Sequence, residues 1–88
     1  MELRFKGQFN RDLQNYNRNI LEEVKHTIFN VKSAESISKI NHLKKLKRYK
    51  THYRIKIADD YRIGVVIRKN IVWFVRFGHR NKIYDLFP

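Results

Sequence analysis

The stretch ADDYRIGVVIRKNIVWFVRFGHR, residues 58–80, decides the fold. Apolar residues alternate with other residues along its first half, a period of two that is typical of a β-strand with one buried face. Lys69-Asn70 interrupts the pattern, so the stretch predicts two antiparallel strands joined by a tight turn. Arginines recur along both strands, although a fully buried sheet needs none. They either cover a solvated surface or face a negatively charged partner.

The register of the second of these strands is left open. A two-residue turn at Lys69-Asn70 would place Trp73 on the face of Arg62, whereas a three-residue turn would place it in the core with Val65. The sequence is compatible with both.

The strand before this pair shows the same alternation, with Arg54 and Lys56 on its polar face. If Ile57 pairs with Tyr61 across a three-residue turn, Arg62 joins these two cations on one face of the sheet. The sequence therefore predicts a cluster of positive charge on a sheet surface.

The N-terminal part predicts one strand and two helices. Residues 1–6 suit a short strand, and across residues 8–32 apolar side chains recur every three or four positions, as on one face of a helix. Asn17 is a suitable N-cap for a second helix, so we expect two helices rather than one. The fold class is therefore α+β: a single domain, residues 1–88, with the N-terminal strand and two helices packed on an antiparallel sheet.

Composition points to an anionic partner. The 88 residues carry a formal net charge of +12, and 42% of them are apolar, which is enough for a folded core. Such a positive field commonly meets nucleic acid or an acidic protein, and no apolar run is long enough to cross a membrane. The absence of cysteine fits a reducing cytoplasm. No residues have the spacing of metal ligands, and no cofactor is expected.

The positive charge is densest between residues 39 and 56, where no acidic residue occurs. A short apolar stripe among these lysines suggests a helix face followed by a loop. We expect this segment to be either a solvated surface or an electrostatic contact with RNA. The predicted RNA-binding residues are Lys44, Lys45, Lys47, Arg48, Lys50 and Arg54.

Four stretches together resemble the RelE/ParE superfamily of bacterial toxins from type II toxin–antitoxin pairs. They are YRIKIADDYRIG, WFVRFGHRNKIYDLFP, the helix start FNRDLQ, and INHLKKLK before the second predicted strand. The resemblance implies a small α+β fold, a cytoplasmic location and neutralisation by a cognate antitoxin. In the RelE-like branch it also implies metal-independent cleavage of messenger RNA on the ribosome, which would inhibit translation.

The resemblance also implies site residues. The family's basic positions correspond to Arg54, Lys56, Arg62 and Arg80, and its C-terminal tyrosine is best matched by Tyr84. The chain departs from its relatives where it has an arginine and a lysine at positions at which they variously use lysines or a glutamate. The identity of the general base is therefore left open.

Such cleavage needs three kinds of group. The ribose 2′-OH attacks the adjacent phosphorus, so a base removes its proton, cations hold the added negative charge, and an acid protonates the departing 5′ oxygen, leaving 2′,3′-cyclic phosphate and 5′-OH ends. Because arginine cannot be the base, Arg62 and Arg80 are expected to grip the phosphate. Neighbouring cations would favour a neutral Lys56 as base, with His79 or Tyr84 as acid.

Two other functions compete with this hypothesis. A ParE-like toxin would poison DNA gyrase by binding it, without chemistry of its own, and an inactive relative would only bind RNA or antitoxin. The nuclease hypothesis requires several guanidinium and ammonium groups to converge in one pocket, and it fails if Arg62 and Arg80 lie far apart or on opposite sides of the sheet. Arg76 could instead brace the sheet by pairing with Asp85.

Overall fold

The computed structural model describes all residues 1–88 and has an α+β fold with five strands and three α-helices, which confirms the predicted fold class. None of the helices has the length and apolar character that a bilayer-crossing segment would need. In chain order the elements are β1 (Glu2–Phe5), α1 (Gly7–Asp12), α2 (Arg18–Ser33), a 3₁₀ turn (Ile37–Lys39), β2 (Leu43–Lys45), β3 (His52–Ile57), β4 (Tyr61–Arg68), β5 (Ile71–His79) and α3 (Ile83–Leu86).

The strands form one sheet in the order β1-β5-β4-β3-β2. All neighbouring pairs are antiparallel except β1 and β5, so the first strand of the chain pairs in parallel with the last. Lys69 and Asn70 both have left-handed φ angles, 48° and 68°, as a two-residue hairpin turn requires. This turn pairs Trp73 with Val66, which settles the open register and puts Trp73 on the face of Arg62.

The core lies between the sheet and the helices α1 and α2, and we call the opposite side of the sheet its outer face. Asn17 caps α2 by accepting the Ile20 N–H at 3.0 Å, as expected for a break between two helices. Buried side chains alternate along the strands, as the sequence pattern predicts. The core cluster contains Phe9, Val24, Val31, Ala34, Ile40, Ile55, Ile57, Ile63, Val65, Ile67, Val72, Phe74 and Phe77.

A bulge interrupts β5. Val65 pairs with Phe74 but Gly64 pairs with Arg76, so one extra residue is accommodated in β5. The carboxylate of Asp12, at the end of α1, accepts hydrogen bonds from the Arg76 guanidinium at 2.8 and 3.2 Å and from the Phe77 N–H at 2.9 Å. The expected pairing of Arg76 with Asp85 is therefore wrong.

The segment before β3 also differs from the prediction. Instead of a helix face and loop, it contains a 3₁₀ turn and the short strand β2, in which Leu43 pairs with Ile55 and Lys44 with Arg54. The Leu46 N–H donates to the His52 carbonyl at 2.9 Å and closes the β2–β3 hairpin. The strand was missed because three residues are too few to show a period.

The tail that follows β5 folds back across the outer face. A side chain at Gly64 would overlap the ring of Phe87, and a Cβ at Gly78 would lie 3.4 Å from Leu86 Cδ1. These two strand glycines leave the space in which the tail packs. The tail thereby brings Tyr84 over the sheet surface that carries the arginines.

Candidate functional site

A cleft of about 950 Å³ opens on the outer face, between the β2–β3 hairpin and the tail. None of the residues that line it is acidic, and six of them are lysine or arginine. They are His42, Leu43, Lys44, Lys45, Leu46, Lys47, Tyr49, Arg54, Lys56, Arg62, Tyr84, Phe87 and Pro88.

Strand pairing concentrates the positive charge in this cleft. Lys44 lies opposite Arg54, and Lys56 lies opposite Arg62, because β3 pairs with β2 on one side and with β4 on the other. Like charges placed directly opposite each other destabilise a sheet. These pairs of like charges are therefore unfavourable for the stability of the sheet. An anionic ligand bound in the cleft would neutralise them.

Arg62 is held at the turn between β3 and β4. Its Nη1 donates to the Asp59 carbonyl at 2.9 Å and to the Tyr61 carbonyl at 2.8 Å. The other nitrogens of the guanidinium make no hydrogen bond within the protein and can donate to phosphate oxygens.

Arg54 and Tyr84 contact each other across the cleft. The Arg54 guanidinium carbon lies 4.3 Å from the centroid of the Tyr84 ring, within the range of a cation–π interaction. Arg54 Nε is buried and has no hydrogen-bond partner. Tyr84 is 68% exposed. Its contact with Arg54 therefore orients its hydroxyl in the cleft.

The sequence suggested that the charged neighbours of Lys56 are all cations, but one of them is acidic. Its Nζ lies 3.3 Å from Asp59 Oδ1, so the lysine forms an exposed ion pair with this carboxylate. A role as base requires Lys56 to leave this partner.

Arg80 lies beside the cleft rather than in it. Its N–H donates to the Asp60 carbonyl at 2.7 Å, and its Nε lies 3.9 Å from Asp60 Oδ1. Arg62 and Arg80 are thus attached to the same turn between β3 and β4, but only Arg62 lines the cleft. The expected convergence in one pocket is met by Arg54, Lys56 and Arg62 and not by Arg80.

His79 lies on the side of the sheet that faces the helices. It pairs with Tyr61 in the register of the two strands, and their rings pack edge to face at 5.7 Å. Its Nδ1 accepts the Asn81 N–H at 3.1 Å. Because Tyr61 also stacks on core residue Phe77, His79 is separated from the cleft by the sheet. Its position does not support the expected role as acid or base.

The basic segment contributes unevenly. Lys44, Lys45 and Lys47 line the cleft, whereas Arg48 and Lys50 are exposed on the turn between β2 and β3 and do not line it.

Sequence reasoning missed several residues of the cleft, among them His42, Tyr49 and Phe87. No sequence signal could have found them, because β2 is too short to show a hydrophobic period and Phe87 reaches the cleft only when the tail folds back onto Gly64. No group of three or more His, Cys, Asp or Glu side chains gathers anywhere in the molecule.

Comparison with known proteins gives full-length relatives. Toxin RelE3 of Methanocaldococcus jannaschii is 33% identical over 89 residues, covering 100% of both chains. The crystal structure of the RelB-RelE antitoxin-toxin complex from Methanococcus jannaschii matches with a TM-score of 0.80 at 32% identity, over 97% of this chain and 99% of that one. The toxin-antitoxin complex RelBE2 from Mycobacterium tuberculosis matches with a TM-score of 0.71 at 26% identity, over 90% and 96% of the two chains. No protein-family model matches.

Proposed function

The chain belongs to the RelE family of toxins, and from this premise we propose that it is the toxin of a type II toxin–antitoxin pair and cleaves messenger RNA within the ribosome. The observation that carries the proposal is the cleft, where Arg54, Lys56, Arg62 and Tyr84 meet with no acidic residue in the lining. These are groups that bind a phosphodiester and exchange protons.

In the proposed reaction the RNA itself supplies the nucleophile. Lys56, once its amine is neutral, takes the proton of the ribose 2′-OH, and the 2′ oxygen forms a bond to the adjacent phosphorus. The bond from phosphorus to the 5′ oxygen breaks, and Tyr84 gives its proton to that oxygen. The products are a 2′,3′-cyclic phosphate and a 5′-OH end.

The two cleft arginines stabilise the charge that develops. Arg62 is already fixed by two carbonyl groups, so it can meet the phosphate without reorganising, which is how preorganised donors accelerate reactions. Arg54 lies over the Tyr84 ring, so the negative charge left on the tyrosine faces a guanidinium. Displacing Asp59 from Lys56 costs little, because exposed ion pairs contribute about 1 kcal/mol or less.

The partners follow from the same proposal. The ribosome presents the message and meets the lysines at the cleft edge electrostatically, so we place the protein in the cytoplasm. The matched RelB-RelE and RelBE2 structures are antitoxin-toxin complexes. We therefore propose a cognate antitoxin with an acidic segment that covers the cleft.

A reconstituted translation reaction tests the proposal. Wild type should cut the message only when ribosomes are present, and the ends should carry 2′,3′-cyclic phosphate. Arg62→Ala should slow cleavage about 10²–10³-fold, the usual cost of removing one preorganised donor. Lys56→Arg keeps the charge but cannot accept a proton, so it should be as inactive as Lys56→Ala.

Two controls sharpen this experiment. Arg68→Ala removes an exposed arginine of β4 that does not line the cleft, and it should cleave like wild type. His79→Ala should also stay active, because His79 lies across the sheet. An intact message accompanied by stalled gyrase–DNA complexes would overturn the nuclease proposal in favour of the ParE-like alternative. The relatives reported above are RelE toxins, so that alternative is not favoured.

A further inference from the structure

Three aromatic rings form a row along the cleft at the base of the β2–β3 turn. The rings of Tyr49 and His52 have centroids 5.0 Å apart, and those of His52 and Phe87 are 5.4 Å apart. Tyr49 and Phe87 both line the cleft. The catalytic proposal makes no use of these rings.

The row is held at its central ring, His52, and at one end, Phe87. His52 Nδ1 lies 3.2 Å from Thr51 Oγ1, and the Thr51 carbonyl accepts the Ile67 N–H at 2.9 Å, which ties this turn to β4. At one end of the row Phe87 is buried against Gly64. The central ring is therefore fixed, and it supports Tyr49 from one side.

Tyr49 is the open end of the row. It is 42% exposed, and its hydroxyl makes no hydrogen bond within the protein, so no side-chain hydrogen bond explains the position of its ring. Lys47, two residues before Tyr49 in the chain, also lines the cleft. A supported ring beside a cation is the combination with which proteins bind single-stranded nucleic acid: the base stacks on the ring and the cation meets its phosphate.

We propose that Tyr49, backed by His52 and Phe87, is a stacking platform for a nucleobase of single-stranded RNA near the scissile phosphate. This inference rests on the proposed function and assigns a base-binding position within the same cleft. The acidic antitoxin segment proposed above would meet the lysines and arginines of the cleft, whereas a supported aromatic ring at this position favours the flat ring system of a nucleobase. Since every base has a stacking face, the position selects unpaired RNA rather than a particular sequence.

The stacking proposal is tested by measuring RNA binding in the absence of both cleavage and ribosomes. A short single-stranded RNA with 2′-deoxy sugars at its scissile positions cannot be cut, and it is compared with a set of copies that each lack one base. Tyr49→Ala should weaken binding of the intact RNA about 5- to 100-fold, as loss of one stacked base does. Tyr49→Phe should bind like wild type. For one abasic RNA the effect of Tyr49→Ala should vanish.

Phe29→Ala is the matched control, because Phe29 is an aromatic residue, 71% exposed, on α2 and outside the cleft. The proposal is overturned if Tyr49→Ala binds like Phe29→Ala, if its penalty is the same on every abasic RNA, or if wild type does not bind the RNA at low salt. Tyr49-dependent binding by a protein that never cuts message would instead overturn the nuclease proposal alone. An acidic peptide that binds with the same Tyr49 dependence as RNA would also count against a nucleobase platform.

Discussion

Asp12 links the end of α1 to the bulged part of β5. Its carboxylate accepts the Phe77 N–H, which β1 is too short to pair, and it holds the Arg76 guanidinium through both oxygens. Burial alone would raise the pKa of Asp12, but these hydrogen bonds, with one from Gln8, outweigh it and hold the pKa below the ordinary 3.8. Folding therefore favours the ionised carboxylate.

The first prediction concerns this contact. Asp12→Asn should lower the free energy of unfolding by about 1–3 kcal/mol, because an Arg76 donor loses its acceptor in a site where the two side chains are only 10% and 22% exposed. Urea denaturation at pH 7 measures the loss. A lowered pKa stabilises the fold above pH 3.8 and that stability is lost as the pH falls further, so the difference from wild type should shrink in acid.

Asp60→Asn is the control for this prediction. The Asp60–Arg80 pair has a separation of 3.9 Å and side chains more than half exposed, so its loss should cost at most about 1 kcal/mol. Equal losses for the two variants would contradict the role assigned to Asp12.

His52 gives the second prediction. Burial, and then the charge of Arg68, lower the pKa of His52 below the ordinary 6.5. The unfolded chain therefore binds a proton at this position more readily than the folded protein, and stability should fall as the pH drops below about 6.5.

Unfolding midpoints in urea between pH 7.5 and pH 5 provide the test. His52→Phe keeps an aromatic ring and removes the titration, so its midpoint should decline less than that of wild type. His26→Gln, on the exposed side of α2, should follow the wild-type curve. A His52→Phe curve with the slope of wild type would refute the assignment.

At the residue level, the sequence was informative wherever a rule concerns near neighbours. The cap at Asn17 and the alternation that placed Arg54, Lys56 and Arg62 on one face were both predictable. The partner of Arg76 was not, because the bulge that directs it to Asp12 depends on contacts between residues 64 positions apart. The face of His79 was not predictable either, because the same bulge shifts the register and brings His79 opposite Tyr61 on the buried face.

At the level of elements, the tail packs against β4 at Gly64, where the strand has no side chain. Gly64→Ala should lower the free energy of unfolding by about 1–3 kcal/mol, because the new methyl group overlaps the Phe87 ring and must displace it. Urea denaturation gives the loss, and changes in the NMR signals of Tyr84 should show that the tail has moved.

Gly78→Ala tests the same tail on the neighbouring strand. Its new Cβ would lie at an ordinary distance of 3.4 Å from Leu86, so the stability should change by less than about 1 kcal/mol. If Gly64→Ala is as stable as Gly78→Ala, the tail does not pack on the outer face as described.

The short elements were the ones that the sequence did not reveal. β2 has three residues and α3 has four, and neither length shows a hydrophobic period. Both are defined by tertiary contacts, β2 by pairing with β3 and α3 by packing across β4 and β5. These two elements form the walls of the cleft. The sequence therefore predicted the basic residues of the cleft on β3 and β4 but not the aromatic residues that lie beside them.

For the molecule as a whole, the net charge of +12 predicts salt-dependent binding of RNA. The logarithm of affinity for single-stranded RNA should fall linearly with the logarithm of salt concentration, with a slope of about −0.7 for each phosphate neutralised. Lys44→Ala, in the cleft, should make this slope shallower by about 0.7.

Lys25→Ala removes the same charge from α2, on the other side of the sheet, and should leave the slope unchanged. Fluorescence anisotropy of a labelled oligonucleotide measures both variants. Equal effects would mean that RNA responds to total charge rather than to the cleft.

The fold class was predictable because helix and strand periods occupy separate parts of the chain. The parallel pairing of β1 with β5 was not, because nothing local in residues 1–6 specifies a partner some 70 positions away.

That pairing makes the order of synthesis matter. The amino-terminal strand has no neighbour until residues 71–74 exist, and the ring that faces Arg54 is added later still, at residue 84. Contacts this distant in sequence form late and slowly. A newly made molecule therefore completes its cleft only after the ribosome has synthesised the final strand and the residues that follow it. This delay comes from the topology and does not require an inhibitor.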